Sequence, residues 1–329
     1  MSAQVTRGAV LDLGSSSFQL LVCEKGPHQS LRPMLKRQSL LDLGLEVGAS
    51  GRISARRLKA AVATAKRLRR VLERAHPDVV VPLATAALRD AVNGPEVVAS
   101  VEHALGVPVR VLDGAEEARL CFVGQRAAVY VGDSPMLGLD VGGGSFEVAI
   151  GNGYDIYFAS SAPVGATRLK GELGPLEYLD REVRKEVRER VREGLAPLGR
   201  ELAKHPRVGA RTVVSGGTAR ALARLAIAKT RTYSRPSAWA VNQVELATAQ
   251  VAELAGALGQ LNLAQRMKLP GMPARRAPVL PLGACILQAI AEEIGVEHFV
   301  VSEWGLREGA LLDAFSIDAD NGWLDEQAG

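Results

Sequence analysis

Two stretches of this chain place a carboxylate, a run of small residues and a strand in the same order. LDLGSSSFQLLV runs from Leu11 to Val22, and LDVGGGSFEVAI from Leu139 to Ile150, 128 residues further on. Aligned without gaps, they share Leu, Asp, Gly, Ser and Phe at matching places. In each, a strand delivers an acid, Asp12 or Asp140. The chain then turns on Gly14-Ser15-Ser16-Ser17 or on Gly142-Gly143-Gly144-Ser145. Small residues leave backbone N–H groups open to converge on an anion, and serine hydroxyls add adjustable donors. A third turn, Ser215-Gly216-Gly217-Thr218, lies at a strand-to-helix junction, where the helix N-terminus adds about half a positive charge. A hairpin bend explains one such turn. Two matching turns and a third are best explained by phosphate held from opposite sides of a cleft.

An acid beside phosphate repels it unless a cation intervenes. Asp140 and Glu147 fall on paired strands of one hairpin, so both reach toward a single Mg²⁺, which commonly takes one or two carboxylates, waters and substrate oxygens. The first hairpin carries Gln19 at the slot of Glu147, which places the metal closer to the second.

The elements that position these turns follow from periodicity. Residues 8–22 and 137–151 each predict strand, turn, strand. Ser54 is a candidate N-cap for a helix whose Leu58, Val62, Ala65, Leu68 and Leu72 recur at spacings of three and four. Arg56, Lys59, Lys66, Arg70 and Arg74 fall largely on its other, solvated face. Further strands are expected at 78–84, 107–112, 154–160, 211–214 and 298–302. Further helices are expected over GAEEARLCFVGQRA and at 178–202, 277–294 and 306–314. Alternating strands and helices indicate an α/β architecture, and the repeat has the spacing of a domain. The boundaries expected are a first lobe over 1–130, a second over 131–305, and 306–329 as a C-terminal helix packing back on the first lobe, with a loose tail.

The 329 residues suit two domains, with 47% hydrophobic, 23% charged and only 4% aromatic residues. A net charge of +4 mildly favours a polyanionic partner. Three cysteines without a CxxC, no signal-peptide pattern at the N-terminus and no apolar run of membrane length point to a cytoplasmic protein with no membrane partner. The five histidines form no metal-binding pair, no GxSxG elbow occurs, and scarce aromatics argue against a specific nucleic-acid reader.

The series DLGSSS, DVGGGS and VVSGGTA resembles the actin, Hsp70 and sugar-kinase superfamily. More closely, the chain resembles the exopolyphosphatase and guanosine pentaphosphate phosphohydrolase (Ppx/GppA) family. AVLDLGSSSFQLLV, ATAALRDA, VLDGAEEARLCFVG, LDVGGGSFEVAIG, APVGATRLK, VVSGGTARAL and WGLREGALLD carry the likeness, in the family's order. The resemblance implies two actin-like (ribonuclease H-like) lobes around a cleft. It implies Glu117 as the acid that orients or deprotonates water, and Arg89 as a phosphate-binding arginine. It implies Asp140 and Glu147 as ligands of Mg²⁺ (or Mn²⁺), with a monovalent cation such as K⁺ as a further ion. The phosphate-binding set it implies is Asp12, Gly14, Ser15, Ser16, Ser17, Gly142, Gly143, Gly144, Ser145, Ser215, Gly216, Gly217 and Thr218. Inorganic polyphosphate is the expected substrate, with guanosine pentaphosphate, (p)ppGpp more broadly, as the alternative, and a homodimer as the expected assembly.

Two departures stand out: Ser16 replaces the family's usual Asn, and Gln19 sits where relatives often carry His or Arg. The chain also stops soon after LREGALLD, where longer relatives continue into a helical extension. Arg168, Lys170, Arg275 and Arg276 are candidates for a polyanion track, as is the basic helix near Arg56. The rivals are an ATP-dependent small-molecule kinase and a non-catalytic polyphosphate or alarmone sensor.

Overall fold

The computed structural model describes residues 6–26, 30–130, 134–205, 210–230 and 240–317. The expected tail, His28 and the start of the turn at Gly132-Asp133 lie outside the described residues.

The first half runs β1 (Arg7–Leu13), β2 (Ser17–Lys25), β3 (Leu31–Leu40), α1 (Leu43–Ser50), α2 (Ala55–Ala75), β4 (Val79–Ala84), α3 (Ala86–Asp90), α4 (Gly94–Leu105), β5 (Arg110–Val111) and α5 (Gly114–Ala128). The second runs β6 (Met136–Val141), β7 (Phe146–Gly151), β8 (Ile156–Ala162), α6 (Ala166–Leu173), α7 (Arg181–Leu202), β9 (Arg211–Ser215), α8 (Gly216–Thr230) and β10 (Glu245–Ala247). It continues through α9 (Thr248–Gly259), α10 (Leu263–Met267), α11 (Leu280–Ile294), β11 (His298–Val301) and α12 (Leu306–Ile317).

The strands form two sheets, ordered β3-β2-β1-β4-β5 and β10-β11-β9-β6-β7-β8. Read from β8, the second sheet repeats the first strand for strand, with β10 added antiparallel at its far edge. In each lobe an antiparallel hairpin, β1–β2 or β6–β7, leads, and the next strand returns parallel to the hairpin's first member. The duplicated phrase is thus the start of a duplicated sheet, and the architecture is the two-lobed, actin-like α/β fold.

Local chemistry explains the elements that matter to the site. Ser54 caps α2, its hydroxyl accepting from Arg57 N, and Ala61, Ala65, Leu68 and Leu72 turn inward while the arginine face stays exposed. A leucine fully buried in this way contributes roughly 1.5–3 kcal/mol. Asp113 caps α5 by accepting from Glu116 N at 2.8 Å, which fixes the start of the helix that carries Glu117. Helix α5 lies between the sheets. Leu120 joins a cluster with Val10, Leu21, Leu311 and Phe315, while Phe122 packs with Met136, Ala149 and Val213. Helix α12 lies on the first sheet, and Arg119 grips Asp313 through two bonds of 2.8 and 3.0 Å.

The structure departs from expectation in places. The strand expected at 107–112 shrinks to two residues, Arg110 and Val111. Helix α7 starts at Arg181, three residues late, because Asp180 accepts from Val183 N as its cap. Helix α11 begins at Leu280 with proline in its first turn, where the missing N–H has no cost. Strand β3 and helices α1, α4, α9 and α10 carry no reading from periodicity; β3 is an edge strand exposed along much of its length, so it lacks the apolar alternation that would reveal it.

Candidate active site

Both hairpins present their acid from the last-but-one residue of the first strand. Asp12 lies directly opposite Gln19, and Asp140 directly opposite Glu147. Each turn is closed by the same backbone bond, Gly14 N–H to Ser17 O at 3.1 Å and Gly142 N–H to Ser145 O at 3.0 Å. The turns meet face to face across the lobes. A side chain at Gly143 would overlap the Ser16 hydroxyl, and one at Gly144 would overlap the Ser15 hydroxyl. The serines of the first turn therefore require the glycines of the second.

Between the turns lies a cavity of about 120 Å³. It collects Asp12, Glu117, Asp140 and Glu147 with both turns, Gly216 and Gly217. Ser15, Ser17 and Ser145 are buried in its wall. Ser15 accepts from Ala87 N at 3.1 Å, and Ser16 shares a 2.6 Å hydrogen bond with Thr167 of the other lobe. Two members of the expected set do not reach the cavity. Ser215 turns its hydroxyl onto Asp140, and Thr218 packs against Gly283 inside the second lobe. Arg89 likewise stands behind the cavity wall. Its guanidinium donates to Glu117 Oε2 at 2.8 Å, to Leu112 O at 3.1 Å and to Asp90 Oδ1 at 3.2 Å.

The paired acids of GAEEARL divide as helix geometry requires, about 100° apart. Glu117 faces the cavity with 6% of its surface exposed. Glu116 points away and pairs with Arg110 at 2.5 Å. Burial pushes the Glu117 carboxyl up to about 7, against the opposing hydrogen bond and charge of Arg89. Burial also lifts Asp12 to about 6, with Arg307 opposing. Asp140 is raised by burial, opposed by its Ser215 hydrogen bond. Glu147 is raised well above the usual range, first by burial and then by the charges of Glu117 and Asp140.

The two hairpins handle their acid differently. In the first, Gln19 Nε2 donates to Asp12 Oδ2 at 3.2 Å, so the amide satisfies the acid. In the second, Glu147 adds a like charge beside Asp140, and hydrogen bonds from Ser145 and from Ser161, the latter at 3.1 Å, soften it. Among the described residues neither Asp140 nor Glu147 forms an ion pair, and two hard oxygen donors on adjacent strands suit a hard divalent cation. Among the described residues no three His, Cys, Asp or Glu side chains gather as a complete metal site. Such a cation would take its other ligands from water and substrate oxygens.

Three arginines add positive charge, and two of them, Arg220 and Arg307, were missed by sequence reasoning. Arg220, at the start of the second turn of α8, donates to Gly216 O at 3.2 Å and Glu303 O at 3.1 Å. Arg307, part-buried, and Glu308, buried, at the head of α12 line the same cavity. Arg276 lies over Gly217, where any side chain would collide with its guanidinium. Among the described residues its side chain has no hydrogen-bond or ion-pair partner, and burial together with Arg220 and Arg275 lowers it to about 10. The signal for Arg220 and Arg307 was present in TARAL and WGLREG, but nothing in either stretch shows which way the side chain points.

From these arginines a groove of about 570 Å³ leads outward, lined by Lys36, Arg37, Arg220, Arg224, Arg275 and Arg276, with Glu303 as its one acid. Of the track candidates, Arg275 and Arg276 line this groove. Arg168 and Lys170 do not: Arg168 is latched to Asp90 at 2.6 Å and to Glu172, and Lys170 reaches Pro278 O. No helix among the described residues is long and apolar enough to cross a membrane.

Comparison with known proteins bears on this cleft as a whole. Exopolyphosphatase 1 of Mycobacterium tuberculosis is 30% identical over 337 residues, covering 98% of this chain and 92% of the relative. Exopolyphosphatase 1 of Mycobacterium leprae is 28% identical over 317 residues, covering 95% and 91%. The crystal structure of an exopolyphosphatase from Cytophaga hutchinsonii superposes with a TM-score of 0.83 at 25% identity, covering 94% of this chain and 98% of that one. The Aquifex aeolicus member of the Ppx/GppA protein family gives 0.74 at 24% identity, covering 97% and 100%. The sequence matches the Ppx/GppA phosphatase family over residues 21–316, and the chain belongs to that family.

Proposed function

We propose that this chain is an exopolyphosphatase that hydrolyses the terminal phosphoanhydride bond of inorganic polyphosphate, with Mg²⁺ held by Asp140 and Glu147. The observation that carries the reading is the continuity of the site. Two anion-binding turns and a buried acid meet in one cavity, and a groove whose lining carries seven lysines and arginines against one acid among the described residues leads out of it. A linear polyanion fits such a groove, and the relatives' names agree with that substrate.

Phosphoryl transfer needs positioning and charge stabilisation more than covalent chemistry. The turn amides of Gly14–Ser17 and Gly142–Ser145 cradle the terminal phosphate. Glu117 holds a water and takes its proton as the oxygen–phosphorus bond forms and the bridging P–O bond breaks. The electron pair leaves on the shortened chain, whose new terminal oxygen faces Arg220 and Arg307. Arg89 holds Glu117 in place and favours its ionised form, opposing the effect of burial. When bound, Mg²⁺ would neutralise phosphate oxygens that gain charge.

A second reading, hydrolysis of the 5′ end of guanosine pentaphosphate, is favoured by one feature. Trp304 lies in the groove beside the arginines, where its ring offers a platform for a purine. Parallel measurements of kcat/KM for long polyphosphate and guanosine pentaphosphate test the choice. The proposal expects polyphosphate to lead. A preference for the nucleotide that Trp304→Ala abolishes would overturn it.

A further inference from the structure

The wall of the cavity contains a polar relay that the reaction as described does not use. Gln125 sits on α5 two turns beyond Glu117 and is 1% exposed. Its Nε2 donates to Leu139 O at 2.7 Å and to Ser215 Oγ at 2.8 Å. Ser215, also buried, donates in turn to Asp140 Oδ2. Strand pairing sets Ser215 directly beside Asp140 in register.

The direction of each bond is fixed by chemistry. Leu139 O can only accept, so the face of the Gln125 amide toward it must be Nε2; a flipped amide would set Oε1 against that carbonyl oxygen. The same nitrogen has one proton left, which goes to Ser215 Oγ. That leaves the single hydroxyl proton of Ser215 for Asp140. Gln125 Oε1 meanwhile has no hydrogen-bond partner among the described residues. A buried acceptor left unpaired costs on the order of 1–3 kcal/mol. A side chain held at that cost is held for its donors. An apolar residue would fill the place without the penalty.

We infer that Gln125 is a positioning residue that acts through Ser215 to aim Asp140 at its cation. The inference rests on the assignment of Asp140 as a metal ligand. Helix α5 thus supplies the acid that handles water, Glu117, and the amide that orients the ligand carboxylate, Gln125, from one face at spacings of four residues through Cys121. Any movement of α5 shifts both together. Partners that orient metal ligands typically change affinity about 10- to 100-fold when removed.

The test is a Mn²⁺ titration of substrate-free protein followed by electron paramagnetic resonance, with melting temperature measured in chelator. Gln125→Met and Ser215→Ala should each weaken Mn²⁺ binding about 10- to 100-fold. Because both break one relay, the double variant should be no weaker than the worse single one, and Ser215→Thr, which keeps the hydroxyl, should restore affinity. Fully additive losses, or unchanged Mn²⁺ affinity with only a lowered melting temperature, would overturn the relay and leave the metal assignment standing. Absence of Mn²⁺ binding by the unmodified protein would overturn both.

Discussion

The difference between the hairpins gives the sharpest prediction. Glu147→Gln makes the second hairpin a chemical copy of the first, where Gln19 donates to Asp12. Directly opposed side chains on paired strands have Cβ atoms about 4.5–5.5 Å apart. Two charges about 5 Å apart at an effective dielectric of about 20 repel by roughly 3 kcal/mol. The substitution removes that repulsion, which acts on the Glu147 carboxyl after burial and the charge of Glu117, all three raising it. At pH 8 in chelator, the variant should therefore be more stable than the parent by about 2–3 kcal/mol. For a lobe of this size that is a rise of about 5–10 °C in melting temperature. With excess Mg²⁺ the order should close or reverse, since a ligand at about 100 times its Kd stabilises the parent by about 2.7 kcal/mol and the variant has lost its site. Activity should fall at least about 100-fold, because a lost metal contact removes several kcal/mol of transition-state stabilisation. Calorimetry in chelator and in Mg²⁺, with phosphate release alongside, reads all three. A variant that melts lower in chelator, or answers Mg²⁺ as the parent does, refutes the reasoning.

The converse substitution, Gln19→Glu, should lower the melting temperature in chelator and add a Mg²⁺-dependent recovery, read by the same calorimetry. Glu117 and Asp12 both have folded-state pKa values above their ordinary ones, about 7 and about 6. Their neutral forms are thus favoured by folding, so stability is fully present at low pH and is lost as pH rises through 6 and 7. In chelator the melting temperature should fall across that window relative to a Glu117→Gln variant; parallel curves would contradict it. As a base, Glu117 must be ionised, so kcat/KM should fall below a pKa no higher than about 7, and that limb should be gone from the residual activity of Glu117→Gln. Arg276→Ala should raise KM for long polyphosphate and make it less sensitive to salt, as expected when one phosphate contact is lost. An unchanged salt response would remove Arg276 from the track.

What could be read from sequence was local or repeated. DLGSSS and DVGGGS announced their own strand-turn-strand geometry, and the repeat implied sister lobes, because turn chemistry and strand alternation act over a few residues. The contrast of Gln19 with Glu147 could be read for the same reason: strand pairing puts each beside its acid. Contacts over long chain separations were not legible. Arg220, Arg276 and Arg307 meet at one cavity from three separate elements, and no local pattern encodes that meeting. Nothing in the sequence around Gln125 sets it apart, because the residues it meets, Leu139 and Ser215, are brought to it by β6 and β9. The resemblance supplied Arg89 as a phosphate ligand, but in the fold its guanidinium faces Glu117. Arg168 was equally basic on paper, and the ion pair with Asp90 that occupies it joins residues 78 positions apart.

The most direct test of the central claim is release of orthophosphate from long-chain polyphosphate in ¹⁸O-labelled water with Mg²⁺, for the parent and for Glu117→Gln. The account predicts one label in each phosphate released, chains that shorten from their ends, and a rate about 10²- to 10⁴-fold lower in the variant. Release of internal fragments, or a variant as fast as its parent, would contradict it.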